Sequence, residues 1–200
     1  MTDTSPARAG TRTGGLDVDL DRPDDDGSPS LVRNLAEWLV ILAGALVVAL
    51  LVTRFLVQAF FIPSLSMFPT LGVNDRVLVN KLSYDLHEVN RGDVIVFERL
   101  ADQGGEKDLI KRVVALGGDR IEARDGRVLV NGSPIDEPYL GPGVETTNLD
   151  AQTVPAEHVF VMGDNRGDSR DSRVFGPLPE DLIIGRAFVK VWPLTDLGLL

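Results

Sequence analysis

The sequence contains no cysteine. That excludes thiol nucleophiles, disulfide staples and thiolate metal sites. Histidine is scarce, with His87 and His158 the two present, so an imidazole-based mechanism or zinc site has few candidates. Basic residues are outnumbered: 20 Lys and Arg face 30 Asp and Glu, a formal net charge of −10. Such a balance argues against a nucleic-acid-binding surface as the main business of the chain.

What is present is a chain of 200 residues, 44% hydrophobic and 25% charged. That is enough for one domain of ordinary size plus an appendage. It divides by composition into three parts. Residues 1–34 read as a disordered acidic N-terminal tail. Neither its Thr/Gly/Ala-rich start nor the run DVDLDRPDDDGSPS buries enough apolar surface to offset the entropy of ordering. Residues 35–59 read as a transmembrane anchor helix. Trp38 to Thr53 carries no charge, and its apolar residues run all the way round rather than forming one stripe. Glu37 and Arg54 sit where side chains snorkel, and Trp38 suits an interface. A cleaved secretory signal fits less well, because a long acidic tail replaces the usual basic start. Charge does not set the orientation: Arg22 and Arg33 precede the span, while Arg54, Arg76 and Lys81 follow it.

Residues 60–200 read as a compact, mainly β domain built on antiparallel sheet. Short runs such as RVLVNKL, GDVIVFERL, LIKRVVAL, RVLVNG, HVFVMG and GRAFVKVW alternate with turn chemistry. RIEARDGRVLVNG predicts a hairpin, Asp125-Gly126 supplying the positive φ of a tight turn. The one helical signal is a short turn near Pro179-Glu180-Asp181.

Three segments carry candidate chemistry. Ser66 lies between Pro63 and Pro69 on a stiffened backbone, which helps hold an attacking oxygen in place. An ordinary polar surface serine satisfies the same pattern. No Asp/Ser/His grouping is in view, so the base must be sought elsewhere. A lysine serves only when neutral. With a reference pKa of ~10.4, about one lysine in 2,500 is neutral at pH 7, a handicap of ~4.6 kcal/mol. Burial lowers that pKa by roughly 3–5 pH units, which removes most of the handicap. Lys111 lies within Leu109-Ile110-Lys111-Arg112-Val113-Val114, on the face that strand alternation shares with Leu109 and Val113. A charge guarding an edge strand is the alternative reading. The third segment, GDNRGDSRDSR at 163–173, packs Asp, Asn, Arg and Ser densely enough for a self-satisfied knot that holds a neighbour. Its spacing does not match a calcium loop of the EF-hand type, and no metal or cofactor is implied.

These segments, in this order behind an apolar span, resemble the bacterial type I signal peptidases, the leader peptidase family with a Ser/Lys dyad. Pro63-Ser64-Leu65-Ser66-Met67-Phe68-Pro69-Thr70-Leu71 is similar to the family's nucleophile box, and Arg91 through Phe97 to the next. Lys111 through Asp119 is similar to the lysine box, and Gly163-Asp164-Asn165-Arg166 through Asp171-Ser172-Arg173 to the last. The similarity covers roughly 35–193, and four boxes in order are a specific signal. The resemblance implies Ser66 as nucleophile and Lys111 as general base, with the Ser66 main-chain N–H and the Ser64 hydroxyl as oxyanion hole. It implies that Ser169 bonds and orients Lys111 and that Asp171 and Arg173 pair to hold the loop. Phe60, Ile62, Met67, Leu71 and Ile110 match the positions lining shallow pockets for small substrate side chains. The implied substrate is the Ala-x-Ala-like end of a secretory signal peptide, bound extended beside an enzyme strand. The implied location is the plasma membrane, single-pass, with the catalytic domain outside the cytoplasm. The large inserted subdomain of some members is absent between Asp119 and Gly163.

Three rival readings fit parts of the same sequence. A self-cleaving repressor-type Ser/Lys protease would carry a DNA-binding module instead of a span. A peptidase dedicated to one substrate is compatible with every motif. A membrane-anchored β module that binds peptides without cutting them predicts Ser66 and Lys111 far apart.

Overall fold

The computed structural model describes residues 31–99 and 107–200. An apolar helix, α1 (Leu31–Phe55), opens the described chain. The tail expectation for 1–34 falls mostly outside the described residues, and 31–34 belong to α1. The described residues up to Ala43 form one unit and those from Gly44 onward another. Within α1, the 20 residues Arg33–Val52 are apolar enough to cross a membrane, and none of that stretch is buried against protein.

The anchor expected over 35–59 ends early. Helix α1 stops at Phe55, and β1 (Val57–Phe61) is already strand, paired antiparallel with β2 (Arg76–Asn80). The physical reason is tertiary. Val57, Phe60 and Phe61 favour strand, and the partner that satisfies their backbone lies about twenty residues downstream, where no local pattern announces it.

The remaining elements are a short helix α2 (Ser83–Leu86), then β3 (Val94–Glu98), β4 (Asp108–Ala115), β5 (Arg120–Arg124), β6 (Arg127–Val130), β7 (Ser133–Pro134) and β8 (Gln152–Thr153). After them come β9 (His158–Met162), helix α3 (Ser172–Phe175), β10 (Leu178–Pro179), β11 (Ile183–Trp192) and β12 (Gly198–Leu199). One of two 3₁₀ turns among the described residues, Glu180–Leu182, sits where the Pro-Glu-Asp signal placed a short helical turn; the other is Leu194–Asp196. The strands form two antiparallel sheets. The larger runs β1-β2-β11-β3-β4-β9-β10 with β12 on β11, and the smaller runs β7-β6-β5-β8. The mainly antiparallel β architecture expected from the alternating runs is what the chain adopts.

Strand β3 shows why the large sheet holds. Val94, Ile95, Val96 and Phe97 are all buried, so both of its faces are covered. Val94 and Val96 pack with Ile62, Met67, Leu71, Val77, Val79 and Ile110, while Ile95 and Phe97 pack with Val113, Val159, Val161 and Leu178. Full burial of each such side chain contributes roughly 1.5–3 kcal/mol. A third cluster joins the small sheet to the ends of β4 and β9 through Ile121, Val128, Val114, Phe160 and Met162. In the hairpin β5–β6 the turn residues Asp125 and Gly126 have φ of 51° and 76°, the positive pair expected for a two-residue turn.

Candidate active site

Ser66 lies in the segment leaving β1, and its neighbours pin it. Met67 and Leu71 are fully buried, and the Leu71 N–H donates to the Met67 carbonyl at 2.9 Å. Two apolar anchors pull the turn against the core while Ser64 and Leu65 stay exposed. The segment is held from the other side as well. The Asn165 N–H donates to the Ser66 carbonyl at 3.1 Å, and its side-chain amide donates to the Leu65 carbonyl at 3.1 Å.

Lys111 is 3% exposed, on a strand whose neighbours Ile110, Arg112 and Val113 are also buried. Its Nζ donates to Ser66 Oγ at 2.7 Å and to the Ile110 carbonyl at 2.9 Å. Ser64 Oγ donates to Ser66 Oγ at 3.4 Å. The serine and lysine are 45 residues apart in sequence and in direct contact in space. Beside them is a cavity of about 30 Å³, lined among others by Phe60, Ile62, Val96 and Ile110. One water-sized site needs roughly 10–15 Å³ on this scale, so the space suits a methyl group rather than a branched side chain.

The other proposed pocket residues are elsewhere. Met67 and Leu71 do not line this cavity but sit beneath it, packed with Val77, Val79 and Val94. The turn that follows β1 directs Met67, between the two prolines, and Leu71, just past Pro69, into the core.

In the 163–173 loop, Asp171 receives hydrogen bonds from Arg173 Nε at 2.8 Å and from the Gly163 N–H at 3.0 Å. It also caps α3 by accepting from the Arg173 N–H at 3.2 Å. Burial alone would push its carboxyl up, but the Arg173 hydrogen bonds, the Gly163 N–H and the Arg173 charge outweigh burial and hold it below the usual carboxylate range. Ser169 Oγ is buried and makes no hydrogen bond of normal geometry, although it lies close enough to Asp171 to help hold that carboxyl down; a bond to Lys111 is not formed in this structure. Ser169 nonetheless lies beside the site. A Cβ added at Gly163 would come within 2.2 Å of Ser169 Oγ and 2.3 Å of the Ser66 carbonyl oxygen. Only a glycine lets the loop close so tightly on the serine segment.

Several supporting residues have partners that the sequence does not reveal. Arg112 pairs with Asp164 through two bonds of 2.9 and 2.8 Å, both groups buried, and Thr70 Oγ1 donates to the same carboxylate at 2.6 Å. The Tyr139 ring stacks on the Arg112 guanidinium at 4.0 Å. Arg166 is buried and pairs with Glu137, and it donates to the Gly163 carbonyl at 3.1 Å. An arginine inside an apolar strand, such as Arg112, is a usable hint of a buried partner. Which carboxylate answers it, 52 residues on, is not readable locally.

The family model described as "Signal peptidase, peptidase S26" matches residues 35–192. The chain is 42% identical over 175 residues to a "Signal peptidase I" of Leptolyngbya laminosa, covering 85% of this chain and 86% of the relative. It is 43% identical over 177 residues to a "Probable signal peptidase I-1" of Synechocystis sp., covering 86% and 90%. With a "Signal peptidase IB" of Staphylococcus aureus the identity is 32% over 181 residues, covering 82% and 93%. A solved signal peptidase I from Enterococcus faecalis superposes with a TM-score of 0.43 at 28% identity, covering 50% of this chain and 97% of that one.

Proposed function

We propose, since this chain belongs to the signal peptidase family of serine hydrolases, peptidase S26, that it is a membrane-anchored endopeptidase removing N-terminal signal peptides from secretory precursors, with Ser66 as nucleophile and Lys111 as general base. The observation that carries the dyad is the 2.7 Å contact between a 3% exposed amine and a hydroxyl set beside a methyl-sized cavity. A non-catalytic peptide-binding module predicts these two groups far apart, and their contact counts against it.

The substrate enters as an added strand. Strand β1 is at the end of the large sheet, and β4 pairs with β9 only from Arg112 onward. Among the described residues no second strand pairs with β1 or with the Asp108–Ile110 stretch, and there an extended peptide finds room to add. Burial disfavours the charged form of Lys111, so the neutral amine accepts the hydroxyl proton as Ser66 Oγ attacks the scissile carbonyl. The negative charge that forms on the carbonyl oxygen is met by the Ser66 N–H and the Ser64 hydroxyl. Donors of this kind are each worth about 3–4 kcal/mol of transition-state stabilisation. Collapse breaks the C–N bond, Lys111 returns its proton to the departing amine, and an acyl-enzyme remains on Ser66. Water then attacks the ester, with Lys111 again as base, and releases the signal peptide as a carboxylate. Ser169, whose hydroxyl is buried in the loop beside the site, orients the amine during these transfers. Asp171 and Arg173 hold the loop that carries it.

Ser66→Ala and Lys111→Ala should each abolish cleavage of an Ala-x-Ala precursor in detergent while circular dichroism stays unchanged. Full activity in either variant would falsify the dyad.

A further inference from the structure

Besides Lys111, one other lysine is buried among the described residues: Lys190, 8% exposed, on β11 and outside all four boxes. Lysine is seldom buried unless paired, and here three groups answer it. The Lys190 ammonium pairs with Asp196, in the 3₁₀ turn that follows β11. It lies 3.7 Å from Asp75 Oδ2 and donates to the Thr70 carbonyl at 3.4 Å. Thr70 and Asp75 belong to the segment that carries Ser66. That segment closes on itself: the Ile62 N–H donates to the Asp75 carbonyl and the Asn74 N–H to the Ile62 carbonyl, both at 2.9 Å. Asp75 Oδ2 also accepts from the Gly72 N–H at 2.8 Å. Thr70 is held by both of its oxygens. Its hydroxyl donates to Asp164, which pairs with Arg112 beside Lys111, and its carbonyl accepts from Lys190.

We propose that Lys190 is a positioning residue: by holding the Thr70 carbonyl and the Asp75 carboxylate it fixes the loop 62–75, and through the loop the direction in which Ser66 Oγ faces Lys111. Asp196 steadies Lys190 in turn, so the turn after β11 becomes part of the support of the dyad. The proposal rests on the proteolytic reading and deepens it. Packing alone pins this loop at few points. Ile62, Met67 and Leu71 are buried, but Phe68 and Val73 are exposed and add no anchor. The polar ties at Thr70 and Asp75 supply what packing does not. Without the ammonium, the Asp75 and Asp196 carboxylates that converge on it repel each other. That repulsion pushes the Asp75 end of the loop away from β11. A displacement of about 1 Å at a reacting atom is enough to cost roughly 100-fold in rate. Lys190 lines no part of the methyl-sized cavity, so its effect falls on the chemical step and not on substrate binding.

The test uses the full chain in detergent and an Ala-x-Ala precursor. It measures KM, kcat and the single-turnover rate constant at saturating enzyme, which does not depend on the fraction of enzyme that is folded. Lys190→Met should lower both kcat and the single-turnover constant by about 10- to 100-fold while KM stays within about twofold. Lys190→Arg, which keeps the charge, should recover most of the loss. Asp196→Asn, on an exposed side chain, should lower the same constant by about threefold or more, and it decides the matter if Lys190→Met does not fold. A parent-like single-turnover constant in Lys190→Met, or in Asp196→Asn where that variant decides, overturns the positioning role and leaves the protease reading standing. So does a Lys190→Arg enzyme as slow as Lys190→Met. A parent enzyme that cuts no such precursor overturns both.

Discussion

Ser66 and Lys111 meet because two costs are offset at the residue level. A buried amine loses hydration, and the hydroxyl and the Ile110 carbonyl replace part of it. The same burial favours the neutral form that a base needs. Activity should therefore fall on acidification as Lys111 gains a proton, and it should fall before the site loses its fold. Asp171 sets that order. Its folded carboxyl lies below the usual range, so the stability it contributes is fully present above the ordinary carboxylate pKa. It is lost only as pH falls through the depressed folded value. A pH series of initial rates alongside near-ultraviolet circular dichroism checks this; a flat rate down to pH 5 would count against lysine as the base. Gly163 is the other residue with a sharp expectation. Gly163→Ala forces its new methyl against the Ser66 carbonyl oxygen, so kcat should drop by about 100-fold or more. Adding Ser169→Gly should not restore it, because the clash with main chain remains. A parent-like kcat in Gly163→Ala would show that the loop yields freely.

At the scale of elements, β4 and the 163–173 loop act as one body. Arg112, next to Lys111, is tied to Asp164 in the loop, and Asn165 beside Asp164 holds the Ser66 carbonyl. The small sheet and its connection reach the same body through Tyr139 on Arg112 and Glu137 on Arg166. Burial pushes the Tyr139 hydroxyl well up, as does the neighbouring Glu137 charge, so it remains a hydrogen-bond donor at any working pH. Asp164→Ala leaves the Arg112 guanidinium buried without its carboxylate and should cost roughly 3–5 kcal/mol, read by urea denaturation. A loss under 1 kcal/mol would mean the pair is not a clamp. The strands themselves were readable in advance, because RVLVN, VIVFE and HVFVM carry their alternation locally, and Asp125-Gly126 carries its own turn. Strand β1 was not readable. Its residues follow directly on the apolar run of α1, and only pairing with β2 separates them from it.

For the whole molecule, the decisive feature is an apolar helix whose Arg33–Val52 stretch is left unburied by the described residues. The 20 residues from Arg33 to Val52 span about 30 Å as a helix, the thickness of a bilayer's hydrocarbon core. The full chain should stay in the membrane pellet after alkaline carbonate extraction, and a chain lacking residues 1–55 should move to the supernatant. Protease added outside intact cells should reach residues 60–200 if that part faces away from the cytoplasm; protection there would reverse the proposed orientation.

Composition and local order by themselves determined the apolar span, the alternating strands, the tight hairpin turn and the four ordered boxes. Each of these is a property of neighbours in the chain, and neighbours are what a sequence records. The contact of Ser66 with Lys111, the turning of Met67 and Leu71 into the core, the burial of the Ser169 hydroxyl and the Arg112–Asp164 clamp were decided only in three dimensions. They join groups dozens of residues apart, and their energies come from desolvation and packing that exist only once the sheets have closed around them.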